Sequence, residues 1–254
     1  MKSKYFNVTV KPPIAVAALA AGNITNDELM FDWHGFDVPK GACRLIGMTA
    51  LYTGKNGVDY TPTDFDLYWA KGNDVDGTAP GTMGDDGAVV DTFGWFNNII
   101  GKTHIDASDG TDGGALITGN VISVINVSSG AGANQAMGNL VLQGVPESGT
   151  NVGYDKLYVS CVAKGTHNWG ASTMTVDGTM STSSPTLTVA DLSAVIACGP
   201  GDILRDEDGL LFGTVKTVDS ATSITLESNL ANTSTNNKIV YNTTPITLVI
   251  CFEK

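Results

Sequence analysis

Apolar and polar positions alternate along the chain in short segments that are bounded by Gly, Pro, Asn and Asp. A spacing of two is typical of β-strands. The pattern predicts strands over Tyr5–Val10, Ala42–Thr53, Phe65–Ala70, Leu116–Val127, Asn139–Gln143, Lys156–Lys164 and Ile246–Phe252. We expect Ala42–Thr53 to be central, because both of its faces are largely apolar.

Helical patterns are short. The clearest helix candidate is Ile14–Ala21, and a second short piece is possible near Asp91–Ile100. The Gly- and Asp-rich stretch Lys71–Asp91 predicts a surface loop, and Phe31–Phe36 predicts a packed aromatic turn. Since no helix-length segments alternate with the strands, the expected fold is mainly β, an antiparallel β-sandwich or jelly roll.

The region 171–243 differs in texture, because it is rich in Thr and Ser and carries its own series of short strands. The pair Asp208-Gly209 between two apolar runs is a strong hairpin signal. An apolar strand follows the region, so we interpret it as a small β-barrel module inserted into a sandwich domain formed by 1–170 and 244–254. We expect the flanking strands Leu157–Val162 and Pro245–Phe252 to be neighbours in one sheet.

Charge and composition exclude several classes of function. The 254 residues include 14 Lys and Arg against 26 Asp and Glu, which gives a net charge of -12. Binding to DNA or RNA needs cations that replace the counterions of the phosphates, and Arg44 and Arg205 are the only arginines. We therefore expect no nucleic-acid partner, and no membrane partner either, since no apolar run could span a bilayer. Pro12-Pro13 and the strand pattern before it argue against a secretory signal.

Cysteine spacing gives no zinc or redox signature. The four cysteines, Cys43, Cys161, Cys198 and Cys251, include no CxxC pair. We expect buried reduced side chains, although Cys161 and Cys251 could face each other across neighbouring strands.

The sequence also lacks the motifs of nucleophilic, metal-dependent or phosphate-binding enzymes. Only His34, His104 and His167 could supply a general base near neutral pH. We interpret His34 as part of the packed aromatic turn, and we expect His104 and His167 to be surface loop histidines. We expect no catalytic activity and no cofactor.

Acidic loops can bind calcium through their carboxylate oxygens. The candidates are Asp74 and Asp76, Asp85 and Asp86, and the group Asp106, Asp109 and Asp112. None follows the ligand spacing of an EF-hand, so we interpret them as solvated turns and expect no metal.

Several motifs resemble phage structural proteins. The order of motifs in the inserted region is similar to small β-barrel modules in structural proteins of tailed bacteriophages: Leu187–Leu192, Gly199–Ile203, Gly213–Val215 and Ser220–Leu226. The sandwich motifs are similar to head-decoration or other accessory virion proteins of marine phages: Phe36–Gly41, Cys43–Gly47 and Asp66–Lys71. The resemblance implies a structural role in the virion, as a decoration or cement subunit.

On this interpretation the partner is the major capsid protein or another virion protein, and the chain forms a homo-oligomer such as a trimer. The alternative is a tail- or fibre-associated adhesin that binds host surface glycans through exposed Trp residues. The protein would reside in the virion, which assembles in the host cytoplasm. We predict partner contacts at Lys2, Lys4, Tyr5, Lys11, Pro12, Pro13, Trp33 and Trp169. The basic N-terminal segment could pair with an acidic lattice or add a strand to a neighbour, or be an ordinary first strand.

Overall fold

The computed structural model describes residues 5–38, 43–52, 63–72, 78–90, 98–105, 113–117, 120–126, 140–142, 156–168, 174–190 and 198–254. Within them the chain is mainly β, its named strands pair in antiparallel fashion, and the helix α1 spans Val16–Ala20. The predicted fold class is therefore confirmed, and α1 lies within the predicted segment Ile14–Ala21.

Two sheets form the larger part of the fold, with strands numbered in chain order. The first sheet has six strands in the order β1-β15-β3-β7-β6, with β8 also paired to β3. Its strands are β1 (Tyr5–Val10), β3 (Cys43–Tyr52), β6 (Gly113–Ile117), β7 (Asn120–Asn126), β8 (Leu140–Leu142) and β15 (Ile246–Glu253). As predicted, β3 is central, because β15 flanks one side of it and β7 and β8 the other.

The second sheet has four strands in the order β2-β9-β4-β5. Its strands are β2 (Leu29–Asp37), β4 (Phe65–Lys71), β5 (Ile99–Ile105) and β9 (Lys156–Ala163). Side chains from both sheets share one buried apolar cluster, including Trp69 on β4 and Leu248 and Phe252 on β15. Apolar side chains of β4 and β15 thus meet between the two sheets, as in a β-sandwich.

A third sheet lies within the Thr-rich region. It has five strands in the order β10-β13-β12-β11-β14. They are β10 (Thr186–Thr188), β11 (Ile203–Asp206), β12 (Leu211–Ser220), β13 (Ser223–Leu226) and β14 (Val240–Asn242). We call residues 174–243 the small module; it has its own apolar cluster, which includes Phe212, Ile224 and Leu226.

One segment of the small module connects its two outer strands. The amide of Val176 donates to the carbonyl of Lys238 beside β14, and the amide of Asp177 donates to the carbonyl of Thr188 in β10. The predicted hairpin at Asp208-Gly209 joins β11 to β12. The jelly-roll path of the sandwich and the closure of the small module into a barrel stay predictions.

Several local expectations were wrong. Strand β9 pairs with β2 and β4 while β15 pairs with β1 and β3, so the strands that flank the small module lie in different sheets. Phe31–Phe36 is part of strand β2 rather than a turn. Ile99 and Ile100 begin strand β5 rather than end a helix, and 91–97 lies outside the described residues.

The cysteines are free thiols. Cys43, Cys161 and Cys198 are buried and Cys251 is half-buried. Cys161 and Cys251 belong to different sheets, so they do not face each other across neighbouring strands. The expectation of reduced, largely buried side chains therefore agrees with the structure.

Candidate interaction edge

The first strand is an outer strand of the six-stranded sheet. Tyr5–Val10 pairs in antiparallel register with Val10 opposite Leu248 and Tyr5 opposite Glu253. Among the described residues β15 is the only strand paired with β1. The outward residues Tyr5, Asn7 and Thr9 are exposed, and Tyr5 is 60% exposed. The sequence-predicted contact residue Tyr5 therefore lies on an accessible edge.

The residues that follow β1 turn the chain inward. Pro12 is buried and Pro13 is exposed, so only Pro13 of the two is accessible to a partner. The amide of Ile14 donates to the carbonyl of Thr243 at 2.6 Å, which ties the chain to the end of the small module. Lys2 and Lys4 lie outside the described residues.

Lys11 makes an ion pair within the chain. Its Nζ lies 2.5 Å from Oδ1 of Asp202 and donates to the carbonyl of Pro200 at 3.0 Å. Asp202 is buried, and its Oδ2 also accepts hydrogen bonds from the amide of Gly199 and from Nδ2 of Asn242. Burial raises the pKa of Asp202, while the Lys11 ammonium opposes that rise. Lys11 therefore joins the end of β1 to the small module. Its charge and its position in the sequence do not indicate that Asp202 is its partner.

The tryptophan candidates differ in environment. Trp33 is half-buried and packs against a small apolar cluster of Leu29, Met83 and Val162 on the outer side of the four-stranded sheet. Trp169 lies outside the described residues. Trp69 is fully buried in the main core, as its strand pattern predicts. Of these side chains, Trp33 therefore presents only part of its ring for contact.

Sequence reasoning missed a charged cluster on the outer side of the four-stranded sheet. Asp66 is fully buried, and its carboxylate oxygens lie 2.7 Å from Nζ of Lys102 and 2.7 Å from Nδ1 of His104. Nζ of Lys164 lies 3.7 Å from Asp66 and 2.5 Å from Asp27. The only signal in the sequence was that Asp66 lies inside an apolar strand. A carboxylate that is buried in this way needs cationic or hydrogen-bonding partners.

The three histidines have different surroundings. His104 pairs with Asp66, as described, and His34 is half-buried on β2, where burial lowers its pKa. His167 is fully buried: its Nε2 lies 3.0 Å from the carbonyl oxygen of Asp64, and its ring meets Phe65 edge-on. Burial lowers the pKa of His167 to about 4. The expectation of surface loop histidines is wrong for both His104 and His167. His104 lies in strand β5, and the backbone of His167 pairs with Ile24 in a short bridge that draws the ring inward.

The acidic loops contribute one structural contact that the structure describes. Asp86 accepts hydrogen bonds from the amides of Ala15 and Asp32, and burial raises its pKa. These contacts attach the loop 78–90 to the start of α1 and to β2. Asp85 in the same loop is exposed. The remaining loop candidates lie outside the described residues: Asp74, Asp76, Asp106, Asp109 and Asp112. Among the residues that are described, no group of three or more His, Cys, Asp or Glu side chains is placed to hold a metal ion.

The described residues include no helix with the length and apolar character needed to cross a bilayer. Comparison of the chain with protein-family models, curated proteins and solved structures gives no significant match.

Proposed function

We propose that this chain is a noncatalytic structural protein of a virion, a decoration or cement subunit that attaches to the capsid lattice. The observation that supports the proposal is the outer strand β1, which presents exposed, uncharged side chains at the edge of a six-stranded sheet. A strand in this position can add to a neighbouring sheet through its backbone, which is a recurrent mode of protein recognition.

The proposed mechanism is additive. Each copy bridges neighbouring capsid subunits, and the contact area is lost when the lattice expands or ruptures, so many weak contacts together resist internal pressure. In this proposal the sandwich follows a jelly-roll path, and the small module is a closed barrel that projects outward. Its closing segment would be Met174–Asp177, which bonds to both outer strands.

The acidity of the chain fits this role. A net charge of -12 keeps copies soluble before assembly and opposes binding to packaged DNA. The copies would form a closed cyclic homo-oligomer on the lattice, and their main partner would be the major capsid protein.

Deletion of residues 1–13 would be a poor test of attachment. It would remove strand β1, which pairs with β15, and it would also remove Lys11, which pairs with Asp202. Val10 is buried and Phe6 and Val8 pack against the main core. Each such side chain contributes about 1.5–3 kcal/mol when fully buried, so the truncated chain would lose stability as well as contacts. Point changes at exposed positions test attachment without this loss.

The first experiment measures the copy number of the chain relative to the major capsid protein in purified particles from its source, by quantitative mass spectrometry. Hundreds of copies per particle support the decoration role. A handful to a few dozen copies per particle overturn the decoration role in favour of a tail or fibre adhesin. The next measurement is then whether the chain binds glycans and whether that binding depends on Trp33 or Trp169. Absence from particles refutes a virion role altogether.

The second experiment asks whether β1 makes the contact. Thr9→Lys should weaken binding of the purified chain to undecorated particles, because it places a charge on the exposed edge. Ser228→Lys is a matched control, since Ser228 is exposed on the small module. Equal binding by both variants would show that attachment does not use β1.

A further inference from the structure

The ion pair of Lys11 and Asp202 lies in a site that is shielded from most of the solvent. The side chain of Asp202 is 1% exposed and that of Lys11 is 23% exposed. Nζ of Lys11 lies 2.5 Å from Oδ1 of Asp202, and its hydrogen bond to the carbonyl of Pro200 holds the amine beside the carboxyl group. A primary amine and a carboxyl group that stay in contact away from water are the reactants of an amide bond.

The two carboxyl oxygens of Asp202 have different surroundings. Oδ2 accepts hydrogen bonds from the amide of Gly199 at 2.9 Å and from Nδ2 of Asn242 at 2.8 Å. Two such donors stabilise the negative charge that develops on a carbonyl oxygen when a nucleophile adds to the carbon, as in an oxyanion hole. Among the described residues, Oδ1 accepts a hydrogen bond only from Lys11, so Oδ1 is the oxygen that can leave.

Burial favours an amide over the ion pair. Two charges that are removed from water carry a desolvation penalty, which a neutral amide avoids. Burial also raises the pKa of Asp202, so its carboxyl group takes up a proton more readily than one in water. Groups that are held in contact can react with effective concentrations that reach about 10⁵–10⁸ M, which offsets the opposing effect of bulk water on condensation.

We propose that Lys11 and Asp202 form an isopeptide bond that joins the end of β1 covalently to the small module. A proton passes from the Lys11 ammonium to Oδ1, and the lone pair of Nζ then adds to Cγ of Asp202. Oδ1 takes a second proton from Nζ and leaves as water. One C–N bond forms and one C–O bond breaks, so an ammonium and a carboxylate become one amide and one water molecule. Neither the net charge nor any oxidation state changes.

Other lysine–carboxylate pairs provide a comparison within the chain. Nζ of Lys164 also lies 2.5 Å from Oδ1 of Asp27, but the side chain of Asp27 is 55% exposed. Nζ of Lys102 lies 2.7 Å from the buried Asp66, but the side chain of this lysine is 49% exposed. In each pair one member keeps much of its hydration, so we expect neither pair to condense. Burial of both partners, rather than the ion-pair distance, distinguishes the proposed pair.

The bond adds a property that the proposed function does not include. It closes a covalent loop between two residues that are far apart in sequence, and such a loop restricts the unfolded chain as a disulfide does. Lys11 directly follows β1, so the bond also prevents this strand and the small module from separating under load.

The test is the intact mass of the full, purified chain, measured by mass spectrometry under denaturing conditions. We expect a mass that is lower than the calculated mass by one water molecule. Digestion with trypsin should then give a branched peptide, in which tandem mass spectrometry locates the new bond between Lys11 and Asp202.

Two variants make the measurement specific. Lys11→Arg keeps the cation, but a guanidinium is a poor nucleophile, so this variant should have its full calculated mass. Lys164→Arg is the matched control and should still lack one water molecule. Circular dichroism checks that both variants fold.

Two results would overturn the proposal. One is a full calculated mass in the unaltered chain after long incubation of the folded protein, and this result does not depend on any variant. The other is a loss of water that persists in Lys11→Arg. Because the measurement uses the isolated chain, its outcome is independent of whether the chain belongs to a virion.

Discussion

The buried histidine His167 makes the stability of the protein depend on pH. Its ring is fully buried, and in the neutral form its Nε2–H can donate to the carbonyl oxygen of Asp64 at 3.0 Å. Its backbone exchanges hydrogen bonds with Ile24, each 2.8 Å long. A proton added to this ring would place a cation in an apolar site against Phe65, which is why burial lowers its pKa to about 4 from the ordinary value of 6.5.

The sign and size of the effect follow from this difference. Between about pH 6.5 and 4 the unfolded chain binds the proton and the folded chain does not, so the free energy of unfolding falls as pH falls. The difference between a pKa of 6.5 in the unfolded chain and about 4 in the folded chain corresponds to about 3 kcal/mol once the pH is below both values. At about pH 5 the expected loss relative to pH 8 is about 2 kcal/mol.

Other groups act differently in this window. Burial lowers the pKa of His34 as well, so His34 adds a loss of the same sign. Burial raises the pKa of Asp86 and Asp202, and each therefore adds stability as it takes up a proton on acidification. Because these carboxyl groups act in the opposite direction, the contribution of His167 is obtained from the difference in pH dependence between the unaltered chain and a His167 variant.

The assay is urea unfolding followed by tryptophan fluorescence at several pH values between about 8 and 5. The variant His167→Gln keeps an amide donor for the carbonyl of Asp64 but cannot be protonated in this range. We expect it to lose about 2 kcal/mol of the pH dependence, whereas His34→Gln, the matched control, should keep most of it. An unchanged pH dependence in His167→Gln would refute the reasoning, and an NMR titration that gives His167 an ordinary pKa in the unaltered chain would do so directly.

Three further substitutions test packing and polar contacts by urea unfolding. Thr103→Val should cost about 1–3 kcal/mol, because it removes the acceptor 2.8 Å from the buried Nε1 of Trp69, and Thr217→Val on the surface is the control. Gly209→Ala should cost about 1 kcal/mol, since Gly209 has a φ of 81° and the penalty is backbone strain alone. Lys11→Met should lower the free energy of unfolding by about 3 kcal/mol, because Asp202 loses its cation. Adding Asp202→Asn should restore much of that stability. If it restores none, the uncompensated charge of Asp202 is not the cause of the loss.

Strong periodicity accounts for what the sequence predicted well. Strands β3, β9 and β15 carry uninterrupted apolar or alternating runs, and all three form close to their predicted bounds. The hairpin of β11 and β12 was predicted correctly because Asp208-Gly209 lies between two apolar runs. These signals are local, and local signals survive folding when tertiary packing agrees with them.

Pairing between distant strands could not be predicted in the same way. Strand β2 was missed because its register shifts on either side of Phe31, which breaks the spacing of two. The assignment of β9 and β15 to one sheet failed because similar apolar character does not specify a partner. The contacts of Lys11 with Asp202 and of Lys102 with Asp66 join residues far apart in sequence, and only the fold brings them together.

The segment that follows β1 links the proposed interaction edge to the small module. Lys11 reaches Asp202, and the amide of Ile14 donates to Thr243 just before β15. Tyr241 of the small module also packs in the main core. The small module therefore contacts the sandwich through an ion pair to the buried Asp202, a backbone hydrogen bond and an apolar side chain, and the first two contacts lie just after β1. If a capsid subunit adds a strand to β1, the small module keeps a fixed direction relative to that contact, because β1 continues directly into the residues that hold the module.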